Sequence, residues 1–191
     1  MGKKIIILLA DGFEEVEALT PMDYLLRAGA ELTLAAVGGN RNVKSARGLT
    51  IVADTTLADL SSSGKLNPSH WDGVVVPGGM PGAANIAASM TAIALLKGAF
   101  SAGRLVAAIC AAPALVLAPQ GILAGRRFTC YPGMEKDVSG ALWSSDRVVV
   151  DGHIITSRAA GTAGEWSMAI IAALLGGDAA KKVADAVLLR Q

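Results

Sequence analysis

Short unbroken apolar runs alternate along this chain with stretches whose apolar positions return every three or four residues. After Lys4 no polar side chain interrupts the run to Leu9, the pattern of a strand covered on both faces. Val16, Leu19, Met22 and Leu26 then recur at helical spacing. Asp11, three residues before Glu14, is the expected N-cap, and Gly29 closes the element. Glu14, Glu15 and Glu17 suit the positive end of that helix. A second strand is predicted over Leu32 to Val37, closed by Gly38-Gly39-Asn40. Val43 to Leu60 reads as short strands and turns, and Ser61 to His70 as a polar loop too short to join two domains.

Gly73 to Val76 is the next buried strand and stops at Pro77-Gly78-Gly79. An alanine-rich helical stretch runs from Ala83 to Ala102, broken near Ser89. Leu105 to Ile109 is another buried strand, and Ala111 to Leu117 a short helix. Arg147 to Thr156 carries a hairpin signal, with Asp151-Gly152 between two β-branched runs. Gly161 to Leu175 and Asp178 to Leu189 are closing helices. There is no internal repeat. This alternation predicts an α/β fold: a three-layer sandwich with a mainly parallel sheet, helices on both faces and an antiparallel hairpin at one edge. A single domain over 1–191 is expected.

Composition removes several function classes. With 52% hydrophobic and 17% charged residues over 191 positions, the chain is not intrinsically disordered. Net charge is +1, from 17 Lys+Arg against 16 Asp+Glu, with no basic stripe, so nucleic acid is not expected as a partner. The longest apolar run, Leu105 to Pro119, is shorter than the ~18–20 residues of a membrane span and contains Pro113, so no membrane partner is expected either. Two cysteines make no disulfide framework, and no Cys/His cluster has metal-ligand spacing, so neither metal nor cofactor is expected. Lys3-Lys4 before Ile5 to Ala10 imitates a signal peptide, but Asp11, Glu14 and Glu15 stand where a small-residue cleavage site should lie. Met1-Gly2 lacks the hydroxyl residue of a myristoylation motif, having Ile6. The expected location is the cytoplasm.

Ligands of such sheets bind outside the carboxyl ends of the strands. Three strand ends carry unusual residues: Asp11-Gly12 leading to Glu17, Gly78-Gly79, and Cys110. Small residues flank Cys110 in Ala108-Ile109-Cys110-Ala111-Ala112, the pattern of a nucleophile elbow between strand and helix. A thiol there would feel the helix N-terminus, which lowers its pKa. The competing reading is a buried cysteine acting as a small hydrophobe. Gly78-Gly79 either lets backbone N–H groups approach a developing oxyanion, with the Ala111 N–H completing the hole, or is simply a tight turn. Glu17 is either a solvated first-turn carboxylate or, packed on Cys110, a carboxyl with raised pKa that shuttles protons. His70 and His153 read as exposed bystanders. Cys130, Trp71, Trp143 and Trp166 read as packing residues.

Ala10-Asp11-Gly12-Phe13-Glu14-Glu15-Val16-Glu17, Val76-Pro77-Gly78-Gly79, Ala107 to Pro113 and Thr156-Ser157-Arg158 resemble the ThiJ/PfpI superfamily, in its DJ-one-like branch, that of the Parkinson-disease protein deglycase. The resemblance covers nearly the whole chain. It implies a flavodoxin-like, class I glutamine amidotransferase-like sandwich, a homodimer, and Cys110 as the reactive, oxidation-prone cysteine. It also implies Glu17 as a protonated carboxyl on its sulfur, with Gly79 and Ala111 as oxyanion-hole donors. Arg27 and Arg47 match basic residues near the interface and site; Tyr131, Pro132 and Ser157 match positions around the pocket. The activities implied are glutathione-independent conversion of methylglyoxal to lactate and repair of glycated adducts, so the expected partner molecule is a small aldehyde or a glycated substrate. A redox-regulated chaperone is the alternative. Two departures stand out. In Thr129-Cys130-Tyr131-Pro132, Tyr131 holds the position of the histidine in relatives that have a Cys-His pair. A phenol with an ordinary pKa near ~10 is a poor base, which places peptidase or amidotransferase chemistry last. Ala159-Ala160 stands where many relatives have Gly-Pro.

Overall fold

The computed structural model describes residues 2–189. In chain order the elements are β1 (Lys4–Leu9), α1 (Glu15–Arg27), β2 (Glu31–Ala36), β3 (Asn42–Lys44), β4 (Thr50–Val52), β5 (Thr55–Thr56), α2 (Leu57–Ser62), β6 (Gly73–Val76), α3 (Gly82–Ala88), α4 (Met90–Ser101) and β7 (Leu105–Ile109). A wide π-type turn (Pro113–Leu117), β8 (Arg127–Phe128), β9 (Leu142–Trp143), β10 (Val148–Asp151), β11 (Ile154–Ser157), α5 (Ala163–Leu175) and α6 (Gly177–Ala186) follow. Seven strands form the central sheet in the order β10-β11-β7-β6-β1-β2-β5. All neighbours are parallel except the β10–β11 hairpin at one edge. This is the expected α/β sandwich.

Strand alternation splits the core into two clusters. Ile6, Leu8, Val74, Val76, Val106 and Ala108 face α2, α3 and α4. Ile5, Ile7, Leu9, Val75, Ala107 and Ile109 face α1, α5 and α6, where Trp166 is sealed with its indole N–H on the Ile155 carbonyl. Each such aliphatic side chain contributes about 1.5–3 kcal/mol on burial, so the central strands fix the frame on which the loops hang. Because β1, β6 and β7 are adjacent and in register, their carboxyl ends bring residues 10–14, 77–81 and 110–112 to one place.

Several local expectations change. Glu14, not Asp11, caps α1: its Oε2 accepts the Glu17 N–H at 2.8 Å. Asp11 instead accepts the Lys44 N–H, and Gly12 N–H bonds the Lys44 carbonyl, because buried Phe13 must be seated before the helix can begin. The two ends of the stripe face outward, Val16 and Leu26 being 47% and 52% exposed, while Leu19 is half-buried and Met22 packs against the core; Ala18, Pro21 and Leu25 cover the sheet. Leu57–Ser62 is helical rather than strand or turn, started by a capping box between Thr56 and Asp59. Asp151 pairs with Ile154, so the hairpin turn is Gly152-His153, one residue later than expected. The turn from Pro113 is π-type, and Trp143 is 46% exposed rather than packed.

Candidate active site

Cys110 follows β7 with φ +64, a left-handed backbone that a side-chain-bearing residue rarely adopts and that costs about 1–2 kcal/mol. The turn is held from both sides. Its N–H donates to the Ser157 carbonyl at 3.0 Å, and its carbonyl accepts the Tyr131 N–H at 2.8 Å. The strained elbow thus lifts the sulfur out of the strand plane at the edge of both core clusters. An unbroken helical segment over residues 112–120 comes next, π-type over Pro113–Leu117, and the Ala111 N–H at its start acts to lower the thiol.

Glu17 lies in the first turn of α1 yet is only 1% exposed. Its Oε2 accepts the Gly78 N–H at 2.9 Å, and its carboxyl lies close enough to the Cys110 thiol for each to shift the other's ionisation. Burial pushes it up to about 7, with the nearby Glu14 charge adding to the effect; bonds from Cys110 and from the Gly78 and Ala160 N–H groups work the other way. The solvated reading of Glu17 is therefore wrong. Glycine is required at 78: a Cβ there would stand 2.6 Å from both Cys110 Cβ and Glu17 Oε2. It is required at 79 too, where φ is +89 and a Cβ would meet the Glu14 nitrogen at 2.4 Å.

Cys110 and Glu17 titrate as a pair. With Glu17 ionised, burial first, then the carboxylate's charge and hydrogen bond, push the thiol up to about 12; the Gly79 and Ala111 N–H groups act against them. The pair therefore releases one proton near neutrality and keeps the other. A thiol depressed by a helix N-terminus, as expected from sequence, is corrected: desolvation and a buried carboxyl outweigh the Gly79 and Ala111 N–H groups.

A cavity of about 490 Å³ opens over this pair, lined by Glu14, Glu17, Ala46, Arg47, Gly79, Met80, Cys110, Tyr131, Ala159 and Ala160. A second, of about 390 Å³, shares Gly79, Met80, Cys110 and Tyr131 with it and adds Ala111, Pro132 and Met134. Arg47 reaches Glu14 and Glu15 at 3.4 Å each. Glu15, buried, also accepts the Ser45 hydroxyl at 2.5 Å and the Arg47 N–H at 2.8 Å. Burial alone would raise its carboxyl, but these hydrogen bonds and the Arg47 guanidinium hold it below the usual range. The charged Glu15 thus ties the loop over residues 45–49 to α1 at the cavity rim.

Of the residues singled out from sequence, Cys110, Glu17, Gly78, Gly79, Ala111, Arg47, Tyr131 and Pro132 converge. Three change place or role. The Gly78 N–H is taken by Glu17, leaving Gly79 and Ala111 beside the sulfur. Arg27 ends α1 away from the cavity, paired with Asp23 at 2.7 Å. The Ser157 side chain is buried, bonded to the Arg147 carbonyl and the Thr162 hydroxyl, so this residue supports the elbow through its own carbonyl. Neither histidine belongs to the site. His153 lies at the amino end of β7, its carbonyl bonded to Val106, and His70 packs edge-on against Trp71 before β6. His153 is no exposed bystander, since its Nε2 is buried without a partner. Glu14, Met80 and Ala160 were missed as site residues; only the dense Glu14-Glu15-Val16-Glu17 spacing hinted at the first. Among the described residues no three His, Cys, Asp or Glu side chains converge as a metal set.

Comparison with known proteins agrees with this geometry. The chain is 39% identical to protein dj-1beta of Drosophila melanogaster over 99% of its own length and 98% of that protein's. The crystal structure of Drosophila DJ-1beta superposes with a TM-score of 0.92, covering 100% of both chains at 38% identity. It is 38% identical to DJ-1 homolog B of Arabidopsis thaliana over 98% of this chain, but spans only 42% of that longer protein. A protein of Pyrococcus abyssi named as a deglycase is 34% identical over 85% of this chain and 94% of its own. The description of the DJ-1/PfpI family matches residues 3–173, and the chain belongs to that family.

Proposed function

We propose that this protein is a cysteine-dependent, cofactor-free enzyme of the stress response that converts α-oxoaldehydes such as methylglyoxal to 2-hydroxy acids and acts on glycated adducts of the same aldehydes. The observation that carries the reading is a buried carboxyl beside a half-buried thiol on a strained elbow, both lining one open cavity. The deglycase name of the Pyrococcus relative points the same way.

Cys110 sulfur, its proton passed to Glu17, attacks the aldehyde carbon, and the Gly79 and Ala111 N–H groups hold the oxygen as it gains charge. Glu17 returns the proton to that oxygen, giving a hemithioacetal and a free carboxylate. The carboxylate next removes the former aldehyde hydrogen as a proton, and the electron pair moves between the two carbons to form an enediol. Reprotonation at the neighbouring carbon leaves a 2-hydroxy thioester, and water displaces the thiol. One carbon is oxidised and its neighbour reduced by the same two electrons, so the sum is substrate plus water and no external oxidant is needed. A group of pKa near 7 can both take and give a proton at neutral pH, as these steps require. Incubation with methylglyoxal should yield lactate from the wild type and at least about 10³-fold less from Cys110→Ser. Equal lactate from both would overturn the reading.

Oxidation of Cys110 to the sulfinate, with a redox-sensing or chaperone role, is a second reading. It is favoured by the Gly79 and Ala111 N–H groups beside the sulfur, donors suited to sulfinate oxygens. We further place the protein in the cytoplasm as a homodimer of one domain per chain. Exposed Val16 and Leu26 on α1 and exposed Leu49 at the end of the tied 45–49 loop supply apolar surface for a second copy, a state read by light scattering. Among the described residues no single helix is long and apolar enough to cross a membrane.

A further inference from the structure

Cys110 lines two overlapping cavities, which share Gly79, Met80, Cys110 and Tyr131 and differ in their remaining walls. The larger holds the carboxyls of Glu14 and Glu17 and the Arg47 guanidinium. The smaller is walled by Met80, Tyr131, Pro132 and Met134, with the small residues Gly79, Cys110 and Ala111 at its base. Among the described residues, neither Glu17 nor any other carboxylate, nor any basic side chain, lines this second cavity. It is roomy enough, at about 390 Å³, for an aryl or branched alkyl group.

The chemistry fixes which part of a substrate enters which cavity; here the inference rests on the reading proposed above. Glu17 must face both carbons of the oxoaldehyde, since it moves a proton from one to the other. The oxygen on the attacked carbon points at the Gly79 and Ala111 N–H groups. The substituent on the second carbon is then turned away from Glu17, toward the cavity that Glu17 does not line. We infer that the smaller cavity is a side-chain subsite and that the preferred substrates are α-oxoaldehydes carrying an apolar, above all aromatic, substituent. A methyl group leaves this subsite nearly empty. A phenyl ring meets two thioethers, a proline and the Tyr131 ring, contacts well suited to an aromatic group. A charged or polyhydroxylated substituent finds no side-chain partner among these lining residues except the Tyr131 phenol and gains nothing from the apolar walls.

An added apolar group in a fitted pocket is worth about ten- to two-hundred-fold in kcat/KM, and an open subsite belongs at the lower end. The test is kcat/KM for glyoxal, methylglyoxal and phenylglyoxal with purified wild-type protein, followed as the corresponding 2-hydroxy acids. The expected order rises along that series, with phenylglyoxal about tenfold above methylglyoxal. Met80→Ser changes an exposed side chain and so leaves folding untouched, while Met134→Ser changes a half-buried one. Each should lower the phenyl-to-methyl ratio by about threefold or more. A wild-type ratio near one, or a ratio unmoved in both variants, overturns the subsite while leaving the oxoaldehyde reading intact. No hydroxy acid from any of the three substrates sinks both.

Discussion

The two cysteines of this chain show how little a residue type says about reactivity. Burial pushes both thiols up, Cys110 to about 12 and Cys130 to about 11. They differ in backbone and company. Cys130 is fully buried in the core facing α2, α3 and α4, and its thiol donates to the neighbouring Tyr131 carbonyl at 3.5 Å. Cys110 is held at φ +64 with a carboxyl that can take its proton, two backbone donors beside the sulfur and open space in front. Nucleophilicity here is created at the moment of attack, by a base in contact, rather than stored as a free thiolate.

The sharpest way to break that contrast is to remove each thiol in turn. Where Cys110→Ser abolishes hydroxy-acid formation, Cys130→Ala should keep it within about threefold and lower stability by about 1 kcal/mol, the loss of one buried small group. Mild peroxide followed by intact-mass and peptide analysis should place added oxygen on Cys110 and little on Cys130. Equal oxidation of the two would mean that access and company do not distinguish them. Glu17→Gln comes next. Loss of the proton shuttle should lower turnover about 10²- to 10³-fold. The same change removes the charge that, after burial, holds the thiol up, so the Cys110 thiolate, followed by its ultraviolet absorbance, should form at lower pH. Thiolate formation moved to higher pH would show that Glu17 had been lowering the thiol's pKa.

The central strands were legible because unbroken Ile, Leu and Val runs leave no other element that could bury them; Gly73 to Val76 and Leu105 to Ile109 match residue for residue. Cys110 was legible because small neighbours in a strand-to-helix position have few other uses. The misreadings share one cause, tertiary contacts that outrank local pattern. Asp11 has the spacing of a cap but is drawn to Lys44 once Phe13 is buried. Val16 and Leu26 have the spacing of a core stripe but face outward, because α1 must turn Glu17 toward Gly78. The charge state of the thiol was misread because a helix N-terminus is visible in sequence and desolvation is not. The capping box of Thr56 and Asp59, in contrast, was written in the sequence and missed.

Burial of Glu17 also has a stability signature. A carboxyl raised from 4.5 to about 7 in the folded state carries no penalty below pH 4.5, where both folded and unfolded forms are protonated. As pH rises from there through about 7, the unfolded chain ionises first and stability falls, by about 3 kcal/mol in all. Glu17→Gln does not ionise. Urea unfolding should therefore show the variant gaining on the wild type between pH 5 and pH 8, with the difference flat above that. A gain independent of pH would mean that Glu17 titrates near its ordinary value and that the pairing described above is wrong.

The smallest expected effect tests the finest feature of the site. The Ala160 N–H faces the Glu17 carboxyl and helps to hold it down against burial. Ala160 opens the short 3-10 turn over residues 160–162, the first helical position, where proline fits because its N–H is not needed by the turn itself. Ala160→Pro should fold at least as well as the wild type. With the donor gone, Glu17 ionises at higher pH, and the acid limb of kcat/KM should move upward by under about one unit. Cys130, remote from that carboxyl, should titrate as before. A shift of the limb to lower pH would show that the 159–160 segment acts on Cys110 by shaping the cavity rather than by holding its base.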